Sequence, residues 1–573
     1  MAMAMAMAKR GGFRKTWRAM QVLGVGSICA LPGVSNAYQF ETGIPNLSVE
    51  WTNTIRYSLG IRAEDCDPDI CGNGKGAGDV SAHQSDRKFG KAGDLVQNRL
   101  DLVSELNVIY KNDTGIRLSG SGWYDAAYTG SPKGDSLFLA QGLNAFPTGK
   151  YTDYITRWNR GPSGRLLDAF AFTKFNIGDV PVNVKLGQHE IYWGESIFCF
   201  VCGVAYNQGP VDLRKALTDP SAQAQELFLP RPQFSFSAAV TPEVTVAGQY
   251  FFDWSPSPLP DGGTYFGPAD FFSLGGGTVV PFLGVPANFT GAQKPHHQVG
   301  DFGLAVKWHP SWLDGTAGFY FRQYTTTFPQ MVLGGMSGGA LNVDLDYRAP
   351  RERMYAFSLS KQVSGISFGM DLTYRTNAEL SVAPFSNVIA QNISSADWIP
   401  RGDVVTAVAN MISYVGKTPL FDSATFTAEV NYAGLKSITH DPFNLYYGLS
   451  QNCGADGVAT HHGCPTRNAV GIAAQFEPIW YEVWSGVNVS MPLFVSVGLK
   501  GNSPVMFGSN QGQGSYSAGL TFDVQKKYKI SVKYIGNLAL HSNDSAGVAS
   551  YSNATLGKYW DRNWVSLTFE SVF

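Results

Sequence analysis

The chain has 573 residues with a formal net charge of −2, and only 15% of its residues are charged. This length suffices for a large folded unit, and the near-neutral charge excludes the basic surface that nucleic-acid binding requires. A mean hydropathy of −0.09, without an apolar run of about 18 residues, argues against a bundle of membrane helices. Aromatic residues make up 13% of the chain and there are 64 glycines, a combination typical of β-structure with tight turns.

Residues 1–37 have the composition of an export signal. Residues 19–31 are mostly apolar, Ser35-Asn36-Ala37 offers small residues for cleavage, and a basic region comes first (Lys9, Arg10, Arg14, Lys15 and Arg18). We expect cleavage after Ala37, so that residues 38–573 form the exported domain. The alternative is a short N-terminal anchor helix. The apolar stretch is too short and too rich in glycine to form one.

Residues 47–61 alternate between apolar and polar side chains. One parity is apolar except for Asn53, and it contains Leu47, Val49, Trp51, Ile55, Tyr57, Leu59 and Ile61. A β-strand places alternate side chains on opposite faces, so this strand has one apolar and one wet face. In a soluble sandwich the apolar face points inward, whereas in a membrane barrel it faces lipid and the polar face lines the lumen.

The same alternation predicts eighteen strands along the chain. They lie near 47–61, 98–110, 115–128, 165–177, 180–190, 231–240, 244–253, 299–309, 315–326, 353–361, 366–377, 403–415, 424–435, 468–477, 487–499, 515–524, 528–537 and 564–573.

The connections between these strands alternate between short and long. Short ones include 178–179 and 525–527, and long ones include 129–164, 191–230 and 254–298. Short periplasmic turns, long outer loops and an even strand number are the pattern of an outer-membrane barrel, whereas a sandwich has no reason to sort its loops this way. We therefore predict an all-β, transmembrane, antiparallel up-and-down barrel of about 18 strands (range 14–18) in the bacterial outer membrane.

The long segment 191–230 is predicted to fold into the barrel as a partly helical insert. Asp212 is expected to lie at the N-terminus of a short helix that Pro220 ends, with a second turn in 222–229. In one interpretation the segment is a hatch, and Trp193, Glu195, Ser196, Asp212 and Arg214 line a solute path. In the other, pairs made by Glu195 and Arg214 only pin the segment to the wall, as luminal polar groups often do.

Six cysteines remain after export, in three close pairs that all fall in long loops: Cys66 and Cys71, Cys199 and Cys202, Cys453 and Cys464. An even number in an oxidising compartment predicts structural disulfides. Two alternatives stay open. Cys199 and Cys202 have redox-motif spacing without a βαβ context, and Cys453, His461, His462 and Cys464 could hold zinc.

Two other patterns, a nucleophile-like motif and a group of aromatic residues, each have a structural explanation as well as a functional one. Gly335-Met336-Ser337-Gly338-Gly339 matches a nucleophile motif, but it lies between two strands rather than at a strand-to-helix elbow, so catalysis is not predicted. Seven aromatic residues could meet an apolar solute at the barrel mouth or form an interfacial girdle: Phe251, Phe252, Trp254, Tyr265, Phe266, Phe271 and Phe272.

Several runs resemble a known family. They are 186–196 (LGQHEIYWGES), 208–215 (QGPVDLRK), 226–230 (ELFLP), 487–493 (VNVSMPL), 501–503 (GNS) and 561–567 (DRNWVSL). In these runs the chain is similar to the proteobacterial family catalogued as domain of unknown function 1302 (DUF 1302), over nearly the whole exported part. The resemblance implies an outer-membrane barrel that handles hydrophobic or lipid-like compounds, linked with periplasmic lipid-carrier-like and RND-type transport partners.

The sequence as a whole favours a transport barrel for a hydrophobic small-molecule solute. No cofactor, metal or nucleic-acid partner is expected, and the contact surface is outer-membrane lipid. One alternative is a structural or adhesin-type barrel that acts through its outer loops. A second is an outer-membrane hydrolase, but no nucleophile–base motif or carboxylate pair supports one, so the protein is predicted not to be an enzyme.

Overall fold

The computed structural model describes residues 38–71, 88–130, 132, 146, 149–267, 278–282, 285–337, 340–382, 398–446, 458–543, 549–555 and 558–573. The strands are β1 (Tyr38–Phe40), β2 (Leu47–Arg62), β3 (Leu95–Tyr110), β4 (Thr114–Asp125), β5 (Ser163–Ile177), β6 (Val180–His189), β7 (Arg231–Ala239), β8 (Val244–Phe251), β9 (Thr278–Phe282), β10 (Val285–Gln293), β11 (Phe302–Trp308), β12 (Gly315–Tyr324), β13 (Gln330–Ser337), β14 (Ala340–Asp346), β15 (Glu352–Val363), β16 (Ile366–Glu379), β17 (Arg401–Val415), β18 (Ser423–His440), β19 (Asn468–Trp484), β20 (Val487–Ser490), β21 (Leu493–Lys500), β22 (Gly514–Val524), β23 (Tyr528–Leu538), β24 (His541–Asn543), β25 (Ala549–Ser552) and β26 (Trp564–Val572). The helices are α1 (Pro68–Cys71), α2 (Asp153–Ile155), α3 (Leu213–Thr218), α4 (Ala224–Leu227) and α5 (Val458–His461), with a 3-10 turn (Ala126–Tyr128) and a π-turn (Thr156–Arg160).

The main sheet closes on itself. β2 pairs with β3 on one edge and with β26, the last strand, on the other, so neither edge of the wall is left open at this seam. The sheet contains 20 strands. β1 only extends the edge of β2, and β20 and β21 both pair with β19 and β22 as two parts of one wall strand. The wall therefore has eighteen antiparallel strands, which confirms the prediction from alternation.

Side chains alternate across the wall as a membrane barrel requires. On β3, Leu100 and Leu102 are 48% and 42% exposed on the outside, whereas Asp101 between them is 1% exposed. Arg56 on the neighbouring β2 points to the same inner side as Asp101, its register partner, and is also 1% exposed. Polar groups thus lie inside and apolar groups outside, the reverse of a soluble protein.

The long loops contain structure that the sequence pattern missed. β9, β10, β13 and β14 form a separate four-stranded sheet in which β10 and β14 pair in parallel, and β24 and β25 form a hairpin. Gly335, Met336 and Ser337 of the nucleophile-like motif lie on β13, which pairs with β14, and Gly338 and Gly339 lie outside the described residues. Within the described residues, no helix is long and apolar enough to cross a membrane.

The two ends of the described chain meet on one edge of β2. The backbone of Phe573 is hydrogen-bonded to Asn53, and β1 pairs further along the same edge, with Tyr38 opposite Trp51. β1 therefore continues the line of β26 and covers the part of β2 that the last strand does not reach. Covering an unpaired edge in this way satisfies backbone groups that lipid cannot hydrogen-bond.

Candidate functional site: the luminal insert

Residues 191–230, called the luminal insert below, leave the wall after β6, cross the interior and return at β7. Their contacts reach inward-facing side chains on opposite sides of the wall. Arg56 of β2 binds Glu226, Asp371 of β16 binds the backbone of Glu195, and Lys533 of β23 donates to the carbonyl of Pro220 at 3.0 Å. The first half of the insert (191–211) is a loop. The second half (212–230) contains α3 and α4, as the sequence indicates.

In the first half of the insert, the carboxylate of Asp371 accepts two backbone hydrogen bonds. The N–H of Glu195 donates at 2.9 Å and that of Val204 at 3.1 Å. Gly194 has a φ of +93°, and a Cβ atom there would lie 2.5 Å from Asp371 Oδ2; at Gly203 the corresponding distance is 2.7 Å. Only glycine lets the backbone approach the carboxylate this closely, which explains the Trp-Gly-Glu-Ser run chemically.

A second wall carboxylate binds the next turn of the chain. Glu429 of β18 accepts from the N–H groups of Ile197 at 2.6 Å, Phe198 at 3.1 Å and Cys199 at 2.6 Å. Cys199 and Cys202 form a disulfide with Cα atoms 5.4 Å apart, which closes this turn. Three consecutive backbone donors around one anion form a strong, orientation-dependent contact.

Neutral and cationic side chains of the wall also bind the first half of the insert. Arg322 of β12 donates to the carbonyls of Val204 and Tyr206 at 2.7 and 2.5 Å, and Asn410 of β17 donates to the carbonyl of Glu195 at 2.6 Å. Several backbone carbonyls and N–H groups of 194–206 are therefore bound by wall side chains in place of water or a second strand.

The second half is bound by side-chain charges. Arg56 lies 2.7 Å from Asp219 and 2.8 Å from Glu226, and Lys215 bridges Glu226 and, at 3.1 Å, Asp101 of β3. Burial is the largest influence on the pKa of Glu226 and raises it, but Lys215 and Arg56 together outweigh burial and lower that pKa. The carboxylate is therefore charged at neutral pH, as this buried ion-pair cluster requires.

The predicted helices of the insert are present. Asp212 caps α3 by accepting from the N–H of Lys215 at 3.0 Å, and it also pairs with Arg165 of β5 at 2.7 Å. α3 ends at Thr218, two residues before Pro220, as the sequence predicts. α4 follows with Glu226 bonded back to the N–H of Gln223 in a capping box.

The chain matches the family described as "Protein of unknown function (DUF1302)" over residues 18–573. It belongs to the DUF1302 family. None of the curated proteins matches the chain. Among solved structures, it is similar to Acinetobacter baumannii OccAB1 (9% identity, covering 94% of this chain and 98% of that one, TM-score 0.41). It is also similar to a BenF-like porin from Pseudomonas fluorescens Pf-5 (8% identity, 92% and 98% covered, TM-score 0.39). A third similar structure is the outer membrane channel DcaP of Acinetobacter baumannii (9% identity, 94% and 99% covered, TM-score 0.37).

In this DUF1302 protein, the residues singled out in the sequence do not form one cluster. Trp193 is buried against Tyr320, with ring centroids 5.8 Å apart, and Ser196 donates to the carbonyl of Cys199 at 2.8 Å. Arg214 pairs with Asp261 at 2.9 Å, not with Glu195. The half-buried carboxylate of Glu195 accepts no hydrogen bond from any residue that the structure describes. These contacts are those of anchors, and a role in lining a solute path stays a prediction.

Of the predicted cysteine pairs in the DUF1302 chain, the bond between Cys199 and Cys202 is confirmed. Cys66 and Cys464 are disulfide-bonded too. Cys453 lies outside the described residues, so its pairing stays a prediction. Because Cys464 is in a disulfide, it offers no thiolate for the alternative zinc site with His461 and His462.

The sequence pattern did not single out the wall residues that bind the insert: Arg56, Asp101, Arg322, Asp371 and Glu429. All five lie on predicted strands at the polar parity. The signal that could have found them is charge at that parity, because a plain aqueous bore does not require fully buried Arg, Asp and Glu side chains.

Proposed function

We propose that this protein is an outer-membrane channel for small molecules whose bore is obstructed by the luminal insert. The observation that carries the proposal is the closed eighteen-stranded barrel crossed by a segment bound to opposite walls. A barrel of about this strand number can hold an aqueous channel unless something fills it. The filled interior favours controlled passage of particular solutes over free diffusion of ions.

We further propose that the solute is hydrophobic or lipid-like, and that periplasmic lipid-carrier-like and RND-type proteins are its partners. The support is the family resemblance of the motif runs, together with the segment that crosses the lumen and is bound to opposite walls. Cleavage of residues 1–37 after Ala37 is part of the same proposal.

Uptake by cells tests this proposal. The gene is deleted in its host, and uptake of the apolar fluorophore N-phenyl-1-naphthylamine is compared with uptake of glucose. We expect the deletion to slow fluorophore uptake and leave glucose uptake unchanged, and the plasmid-borne gene to restore the rate. Equal fluorophore uptake with and without the gene contradicts the proposed transport of apolar compounds.

Purified protein in planar bilayers gives an independent measurement. Because the insert fills the bore, the intact protein should conduct ions far less than an unobstructed barrel of eighteen strands. A conductance as large as that of an open porin of similar size would show that the insert does not obstruct the channel.

A further inference from the structure

The barrel wall is incomplete beside the point where the insert leaves it. β5 pairs with β4 up to its first residue, Ser163, but its pairing with β6 stops at Ala169 opposite Gln188. Among the described residues, no strand pairs with 163–168 of β5 on the side toward β6. This stretch is an unpaired edge in the outer part of the wall.

Gly187 is the last residue but one of β6 that pairs with β5. Its φ is +125°, and a Cβ atom there would lie 2.4 Å from the carbonyl oxygen of Ala169. β6 ends two residues later at His189, and the chain then turns into the lumen. A glycine kink one residue before the pairing ends therefore accompanies the separation of the two strands at this level.

Side chains, not a strand, bind the free carbonyls of β5. The amide of Gln188 donates to the carbonyls of Leu167 at 2.5 Å and Leu166 at 3.2 Å, and Arg157 donates to that of Gly164 at 3.4 Å. Such bonds satisfy an exposed edge without joining it to another strand, so the edge can remain part of a stable wall.

The opposite side of the gap is rich in proline. Five prolines line a cavity in the gap: Pro230, Pro232, Pro256, Pro258 and Pro260. Proline has no N–H to donate, so these segments cannot pair continuously with the free carbonyls of β5. The composition of this side keeps the gap from closing by strand pairing.

A cavity of about 370 Å³ occupies the gap. It extends from Leu166, Gln188 and Pro232, whose register places them on the outer face, to the buried Leu229 and Tyr347. Leu166 is 56% exposed. The lining is mostly apolar, and the volume is within the range of about 300–1,000 Å³ that small-molecule sites have.

The cavity opens near the outer boundary of the membrane. Leu166 lies nine residues above Phe175, an outward aromatic near the periplasmic end of β5. That separation is about 30 Å along a strand, or about 23 Å along the membrane normal at the usual strand tilt of roughly 40°. An apolar band of about 25 Å therefore ends close to Leu166.

We propose that this gap is a lateral portal through which an apolar small molecule passes between the outer leaflet and the lumen. The portal rests on the proposed transport function and supplies its route, because the insert obstructs the axis of the barrel while the cavity reaches the interior beside it. A solute dissolved in lipid reaches the portal without crossing the water-facing outer loops.

Replacing Leu166→Trp tests the portal, because the larger side chain narrows its outer mouth. The matched control is Leu118→Trp on β4, which is 44% exposed on the same outer face but does not line the cavity. In cells, we expect Leu166→Trp to slow N-phenyl-1-naphthylamine uptake about fivefold or more, as for a blocked apolar site. Leu118→Trp should leave that rate unchanged, and neither variant should change glucose uptake.

Chemical labelling of the folded protein excludes misfolding as the cause of slower uptake. Leu166→Cys is expressed and folded first, and then labelled in whole cells with a rhodamine maleimide, with Leu118→Cys as the control. Slower fluorophore uptake only after labelling at position 166 supports the portal.

Unchanged uptake after labelling at position 166, in cells where the native gene accelerates uptake, overturns the portal and leaves the proposed function standing. If the native gene does not accelerate uptake at all, the proposed function fails and the portal fails with it.

Discussion

The two halves of the luminal insert are bound to the wall by different chemistry. In residues 191–211, backbone N–H groups surround two wall carboxylates, Asp371 and Glu429. In residues 212–230, charged side chains form a buried cluster with Arg56 and Asp101 of the wall. The first arrangement depends on the conformation of the insert backbone, and the second depends on charge balance.

This difference indicates how each half can be released. A carboxylate bound by several N–H groups loses its contacts together if the backbone turns, so the first half should move as a unit. Removing one charge from the second half leaves buried opposite charges without a partner, which is costly in a site that excludes water. The first half is therefore expected to tolerate charge-neutral substitutions better than the second.

The largest expected effect is that of Arg56→Met. It leaves Asp219 buried without its main cationic partner and leaves Glu226 with Lys215 alone, and breaking such a pair costs about 3–5 kcal/mol. We expect higher conductance in planar bilayers and trypsin cleavage at Lys215 in the otherwise folded barrel. Arg353→Met, at an exposed wall arginine, is the control and should behave as the native protein. Native conductance and trypsin resistance in Arg56→Met would falsify the charge-balance account.

Glu429→Gln should have the next largest effect. The amide keeps the shape of the carboxylate but loses its charge and presents donors toward N–H groups, a loss of about 2–3 kcal/mol. We expect brief openings in single-channel records without cleavage at Lys215, because the second half stays bound. Glu482→Gln, at an exposed residue near the end of β19, is the control. Cleavage at Lys215 as extensive as in Arg56→Met would mean that the two halves are released together.

Gly194→Ala should weaken the first half by a smaller amount. The methyl group meets Asp371, and the φ of +93° is unfavourable for alanine, together about 1–3 kcal/mol. The control is Gly365→Ala, since Gly365 has a φ of +82° but open space around the added Cβ atom. More frequent channel openings in Gly194→Ala than in Gly365→Ala are expected, and equal behaviour would assign the effect to backbone strain alone.

The smallest effect is expected for Glu195→Gln. Burial and the nearby Asp371 raise the pKa of Glu195, so the folded insert retains this proton to a higher pH than the unfolded chain does. The stabilisation is present at low pH and falls as the pH rises from the unfolded value of about 4.3 to the raised folded value. Glu195→Gln should remove this dependence of channel closure on pH and slightly favour closure at pH 7. An unchanged pH profile would contradict it.

The wall of the barrel could be predicted from the sequence because the polarity of each side chain depends on which face of its own strand it occupies. Lipid outside and water or polar groups inside force side chains to alternate, and β3 shows this in the four residues from Arg99 to Leu102. α3 could also be predicted, since Asp212 caps a helix that Pro220 cannot continue. The four-stranded sheet was missed because β10 and β14 pair in parallel across about fifty residues, and no short pattern encodes that pairing.

What the sequence alone determined is the alternation, the loop lengths and therefore the closed barrel with a segment left over for its interior. Only the tertiary structure decided what binds that segment, because Asp371 and Glu195 are 176 residues apart and meet only when the ring closes. It also decided where the wall opens: whether Gly187 kinks a strand away from its neighbour depends on the register between β5 and β6, which is a property of the paired strands and not of either one.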